Sequence, residues 1–162
     1  DLTFEPGETT TSQQHNWILF RYAEILLNYA EAMVNAYGDP DYTGSYSLSA
    51  RDAVNQVRNR GDVKMPAYPT DMKKDAFLKR LRNERRVEFA FEGQRFWDLR
   101  RWKELDNMQN IYKVKVVKQT DGTIQYTKVL HATYNIQDKM YFYPISNTEL
   151  FKNHKLVQNT GW

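Results

Sequence analysis

The sequence predicts a mainly α fold (α+β), built of paired helices with a small C-terminal β-hairpin element. Three observations lead there. Two helical stretches, 17–36 and 49–60, follow one another across a short Tyr/Gly/Ser loop. A long charged and aromatic stretch, 71–102, keeps helical character on both sides of Gly93. From Ile111 onward the apolar spacing turns from helical to alternating, around Asp121-Gly122. With 162 residues, of which 41% are hydrophobic and 14% aromatic, the chain is long and apolar enough for one domain with a real core.

The elements follow in order. Residues 1–14 are polar and read as an arm or loop. In 17–36, Ile18, Tyr22, Ile25, Tyr29, Ala32 and Ala36 make one stripe, and Leu19, Ala23, Leu26, Ala30, Met33 and Tyr37 make an adjacent one. A helix apolar around most of its circumference is expected to pack on more than one side, which places Trp17, Phe20, Tyr22 and Tyr29 in the core. Gly38-Asp39-Pro40 stops it. Ser49 to Asp52 has the form of a capping box, opening a helix whose stripe is Ala50, Ala53, Val54 and Val57, with Gly61 as its expected C-terminal cap. The two helices start about 32 residues apart, near the ~34-residue tetratricopeptide period, so tetratricopeptide-like helix pairs are expected.

Pro66 and Pro69 mark a loop, and a third helix is expected from about 71 to 92, continuing after Gly93 through Trp102. Strands over 112–118 and 123–130 flank the Asp121-Gly122 turn. Pairing about that turn sets Lys115 opposite Lys128, which is unfavourable, so an exposed edge or a shifted register is expected. Met140 to Tyr143 is a third strand candidate, and Ser146 to Glu149 a second capping box before a short final helix. The whole is expected to be one domain, 1–162: helical hairpin 17–60, motif helix 71–102, β element 111–143 and C-terminal tail 144–162.

Composition bounds the chemistry. The net charge of +3 and pI near 9.0 permit an anionic partner without demanding one. The absence of Cys excludes disulfides, thiol catalysis and Cys-based zinc sites. No run approaches the ~20 apolar residues of a membrane-spanning helix. Asp1 stands where an initiating Met or signal peptide would, so the chain is expected to be a fragment or a processed product, with any address or anchor upstream.

Glu84 and Glu88 lie one helical turn apart, a spacing loosely compatible with a glycosidase carboxylate pair. Arg80, Arg82, Arg85 and Arg95 lie within one or two turns, which favours a Glu/Arg ladder between packed helices instead. The cations from Lys79 to Lys103, interleaved with Phe96, Trp97 and Trp102, suggest a nucleic-acid surface. Glu84, Glu88, Glu92 and Asp98 run through the same stretch and favour intramolecular pairing. His15, His131 and His154 are isolated, Asp39-Pro40-Asp41 lacks the rest of a calcium loop, and no phosphate loop or nucleophile elbow occurs. No catalytic residue, metal ligand or cofactor is therefore assigned. Tyr42, Tyr46 and Tyr68 lie in loops, free to form a flat face for a ligand or to be ordinary loop tyrosines.

Four segments carry a family resemblance: Arg21 to Ala32, Val54 to Gly61, Glu84 to Trp102, and Tyr141 to Ser146 with Asn153, Leu156, Gln158-Asn159 and Gly161-Trp162. In this order they resemble the SusD/RagB family of outer-membrane nutrient-binding lipoproteins, and they span nearly the whole chain. The resemblance implies tetratricopeptide-like helix pairs and a non-catalytic role. It also implies surface exposure on the Gram-negative outer membrane, capture of glycans or peptides, and partnership with a SusC-like TonB-dependent transporter. No nucleic-acid partner is expected, given the carboxylates threaded through the cationic stretch, and contact with the membrane is expected only through an N-terminal lipid anchor, whose Cys this chain lacks. The chain resembles the C-terminal part of such a protein, and its Gly-Trp ending matches a natural C-terminus. The shared motifs look structural, so the ligand site is expected to lie partly or wholly outside this segment.

Overall fold

The computed structural model describes residues 18–61 and 63–162, which divide into two compact units between Glu88 and Phe89. The expectations for the arm 1–14, for His15 and for Trp17 lie outside the described residues.

The first unit holds three helices: α1 (Tyr22–Tyr37), α2 (Ala50–Arg58) and α3 (Lys74–Glu88). Gly38 closes α1 in the left-handed region (φ 77°), its N–H bonding the Val34 carbonyl at 2.9 Å. Ser49 forms the expected capping box: its Oγ accepts from the Asp52 N–H at 3.1 Å and donates to the Asp52 carboxylate at 2.7 Å. Gly61 is not the cap of α2. The helix ends at Arg58 with Asn59 as its cap, two residues earlier than a Gly61 cap would place it.

The core of this unit is one face of each helix. On α1 it is Leu26, Leu27, Ala30, Met33 and Val34; on α2, Ala50, Ala53, Val54 and Val57; on α3, Phe77 and Leu81. The expectation that α1 packs on more than one side is not met within this unit. Phe20 and Tyr22 are 77% and 69% exposed, and Ile25 is exposed as well. Both α2 and α3 pack against α1, and their apolar faces match the Leu26–Val34 stripe only. Tyr29 is half-buried, its hydroxyl donating to the Leu48 carbonyl at 2.6 Å.

α3 ends at Glu88, four residues before the expected stop at 92. Phe91 and Gly93 both adopt left-handed backbone (φ 67° and 79°), which no helix continues through.

The second unit begins with α4 (Gln94–Arg101), then a 3-10 turn (Leu105–Met108), strands β1 (Asn110–Lys118) and β2 (Ile124–Thr133), a second 3-10 turn (Asp138–Tyr141) and α5 (Asn147–Lys152). β1 and β2 form an antiparallel ribbon with a bulge at His131. The turn is five residues, not the two of Asp121-Gly122. Lys118 pairs with Ile124, and Asp121 accepts from the Thr123 N–H and hydroxyl at 2.9 and 2.7 Å. This shifts the register by one: Lys115 faces Thr127 and Lys128 faces Val114, which puts the two lysines on opposite faces.

Met140 to Tyr143 is not a strand. The Trp162 indole N–H bonds the carbonyls of Lys139 and Phe142 at 3.0 and 3.1 Å, and the backbone between them closes into the 3-10 turn. Ser146 caps α5 as expected.

Candidate functional site

The charged motif stretch resolves into a set of arginine anchors. Glu84 accepts from Arg58 and, at 3.2 Å, from the Tyr68 hydroxyl. Glu88 accepts from Arg21 at 2.6 Å and Arg60 at 2.5 Å. Arg85 is buried and donates to the Asn28 side chain at 2.6 Å. The ladder exists, but Arg21, Arg58 and Arg60 come from elsewhere in the unit than the neighbouring turns of α3. Both carboxylates are thereby held by guanidinium groups within the scaffold.

Arg51 is a heavily used side chain. It holds Asp41 with two bonds, at 2.6 and 2.9 Å, and donates to the carbonyls of Pro69 and Met72. It ties the loop after α1, α2 and the approach to α3 into one network. Sequence reasoning missed Arg51 and Arg58. The available signal was their place beside Ala50, Val54 and Val57 on the apolar side of α2, where a charge needs partners.

The three candidate tyrosines separate. Tyr68 is only 2% exposed, so it offers no face to a ligand. The guanidinium groups of Arg58 and Arg80 lie over its ring, at 5.0 and 4.7 Å, and it meets Phe77 edge-on at 5.6 Å. Burial, and then the Glu84 charge, push its hydroxyl pKa well above the usual phenol value, so it stays a donor. A loop position with Pro on either side gave no sign of this burial.

Tyr42 and Tyr46 are exposed, and the structure brings them together with Tyr37. Tyr37 stacks on Tyr42 (4.2 Å between centroids, 23°) and meets Tyr46 at 6.1 Å, with the Tyr37 and Tyr46 hydroxyls 3.3 Å apart. That hydrogen bond raises the Tyr37 pKa. Gly44 (φ 53°) makes the cluster possible, because a Cβ there would lie 2.5 Å from the Tyr42 hydroxyl. The result is an aromatic patch with polar tips, suited to the apolar face and hydroxyl edge of one ligand ring.

In the second unit the motif's cations rest on its own aromatics. The Arg100 guanidinium lies 4.4 Å from both the Phe96 and Tyr143 rings, and Arg101 lies 4.7 Å from Trp102. An open groove of about 800 Å³ is lined by Lys103, Asp106, Asp138, Lys139, Tyr141 and Asn159, among others. Lys103 covers the Tyr141 ring at 4.4 Å. Among the described residues no helix is long and apolar enough to cross a membrane.

The SusD family model matches residues 4–162. SusD-like protein P38 of Formosa agariphila is 37% identical over 90 residues, covering 52% of this chain and 16% of the relative. SusD-like protein P2 of the same organism is 31% identical over 102 residues, covering 60% and 19%. Among solved structures, a SusD-like protein from Bacteroides fragilis superposes with a TM-score of 0.77 at 32% identity, covering 98% of this chain and 28% of that one. A SusD homolog from Bacteroides thetaiotaomicron gives 0.64 at 26%, covering 95% and 30%. The chain thus spans less than a fifth of these curated relatives and less than a third of these solved structures. With helices α1 to α4 and the stapled tail falling on the shared motifs, and the family match running across 4–162, the chain belongs to the SusD family.

Proposed function

We propose that this chain serves nutrient capture, as part of a non-catalytic glycan-binding protein on the outer-membrane surface. Its partner on this reading is a SusC-like TonB-dependent transporter, and its tie to the membrane is a lipid anchor outside these residues. The observation that carries the reading is the family match across 4–162. The arginine-held carboxylates Glu84 and Glu88 support it, since a scaffold role occupies both groups. Within the chain, the patch of Tyr37, Tyr42 and Tyr46 is the proposed ligand face.

The test is affinity electrophoresis of the native-length protein in gels containing single polysaccharides. Retardation by at least one polysaccharide is expected, weakened about tenfold by the double variant Tyr42→Ala/Tyr46→Ala at unchanged Tm. Retardation identical in the variant removes the tyrosine patch from the site; no retardation by any polysaccharide or peptide ligand counts against the reading itself.

A second reading, a helical protein-interaction module, is favoured by the exposed apolar residues Phe20, just before α1, and Tyr22 and Ile25 in its first turn. Loss of transporter co-purification in Phe20→Asp, with glycan retardation unchanged, would separate that contact from ligand binding.

A further inference from the structure

The β1–β2 ribbon carries a charge pattern that the scaffold does not use. Its two strands hold Lys113, Lys115, Lys118 and Lys128, all exposed, and no Asp or Glu. Asp121, in the turn that joins them, is tied to Thr123. Register sorts the lysines. Lys118 and Lys128 share a face with Tyr112, Val114, Val116 and Tyr126, while Lys113 and Lys115 lie on the other face.

The first face has a repeating order. Tyr126 is 67% exposed and pairs with Val116. Lys128 lies two residues along the same strand, about 7 Å away. Lys118 lies on the diagonal across the ribbon, at roughly 7–8 Å. An exposed ring is thus flanked by a cation on each side, over a floor of exposed valines. Lys128 is parked over the Tyr112 ring at 4.0 Å, a weak contact that a carboxylate or sulfate can displace.

We propose that this face of the ribbon binds an anionic glycan, with a sugar ring stacked on Tyr126 and its acidic groups on Lys118 and Lys128. The inference rests on the glycan-capture reading and narrows it to uronate- or sulfate-bearing chains. Charge complementarity requires an acidic partner, and the apolar floor requires one that also presents C–H surface. An acidic sugar chain offers both along its length, in a form that can lie on an extended ribbon.

The test uses the native-length protein with two matched pairs of probes: polygalacturonate against its methyl ester, and dextran sulfate against dextran. At least one polyanion is expected to bind, with affinity falling as salt rises and more than about tenfold tighter than its neutral counterpart. Lys118→Gln/Lys128→Gln and Tyr126→Ala are each expected to lose about tenfold, while Lys113→Gln/Lys115→Gln stays within about twofold. Equal losses from both lysine pairs, with none from Tyr126→Ala, would mean diffuse attraction and overturn the proposal. Resistance of Lys118 and Lys128 to acetylation in the ligand-free protein would also overturn it, since another surface would then cover the face. If neither polyanion binds but a neutral polysaccharide does, this inference fails and the capture reading stands. If no polysaccharide or peptide ligand binds, both fail.

Discussion

The first unit and the β-ribbon of the second are both rich in cations and use them in opposite ways. In the three-helix unit the buried cations are arginines, while its lysines, such as Lys73 and Lys79, stay at the surface. Arg51, Arg58 and Arg85 are buried, each on a carboxylate, carbonyl or amide oxygen. On the ribbon the cations are lysines, exposed along both strands. A guanidinium has five donors in a rigid plane and can satisfy several oxygens at once, which is how Arg51 joins three chain segments. A lysine ammonium is compact and strongly hydrated, and it stays in water unless a partner arrives. The same formal charge is mortar in one region and free surface in the other, so charge counts alone say nothing about function.

The largest expected effect tests the mortar. Arg51→Ala should cost about 3–5 kcal/mol in chemical denaturation, because it leaves Asp41 and buried carbonyls without their donor. Lys115→Ala on the ribbon should change stability by less than about 0.5 kcal/mol. Comparable losses for the two would break the contrast. Glu88→Ala should cost less than Arg51→Ala, about 1–3 kcal/mol, because its partners Arg21 and Arg60 are part-exposed (25% and 42%) and water takes over some of their hydration. A thermal midpoint unchanged within error would remove Glu88 from the scaffold.

A smaller and local effect is expected in the second unit. Trp162→Ala removes the donor to Lys139 and Phe142 and should cost about 1 kcal/mol. Hydrogen exchange should speed up at the Met140 and Phe142 amides and stay unchanged at Ala30 and Val34 of α1. Faster exchange in α1 would contradict the assignment of this staple to the second unit.

The smallest effect is on acid stability. The hydrogen bond from Arg51 holds the Asp41 carboxyl below its ordinary value of 3.8. Between that value and the lowered one the unfolded chain binds more protons than the folded one, so stability falls as pH drops through this window. Asp41 is half-exposed, and the loss should be under about 1 kcal/mol. In Asp41→Asn this part of the acid slope should flatten; an unchanged slope would mean that Arg51 is held by the carbonyls alone.

Local signals were the legible ones. The Ser49 and Ser146 caps, the Gly38 stop, the buried face of α2 and the existence of the hairpin all depend on residues within one or two turns of each other. So does the break in the motif at Gly93, although Phe91 moves it earlier than glycine alone implied. The candidate site was legible only as exposed loop tyrosines. That Tyr42 and Tyr46 meet around Tyr37 depends on the path of the loop through Gly44. That Tyr68 is buried depends on two arginines and Phe77 closing over it.

By itself, then, the sequence determined the helix-pair architecture, the helix caps, the hairpin and membership of the SusD family, because these are written in short-range spacing and in long ungapped motifs. Tertiary structure alone decided which stripe of α1 is core, which arginine holds which glutamate, the one-residue register that separates Lys115 from Lys128, and the 3-10 turn where a strand was expected. Each of these turns on a partner distant in the chain, such as Arg21 for Glu88 or Trp162 for Lys139, and no local pattern names a distant partner.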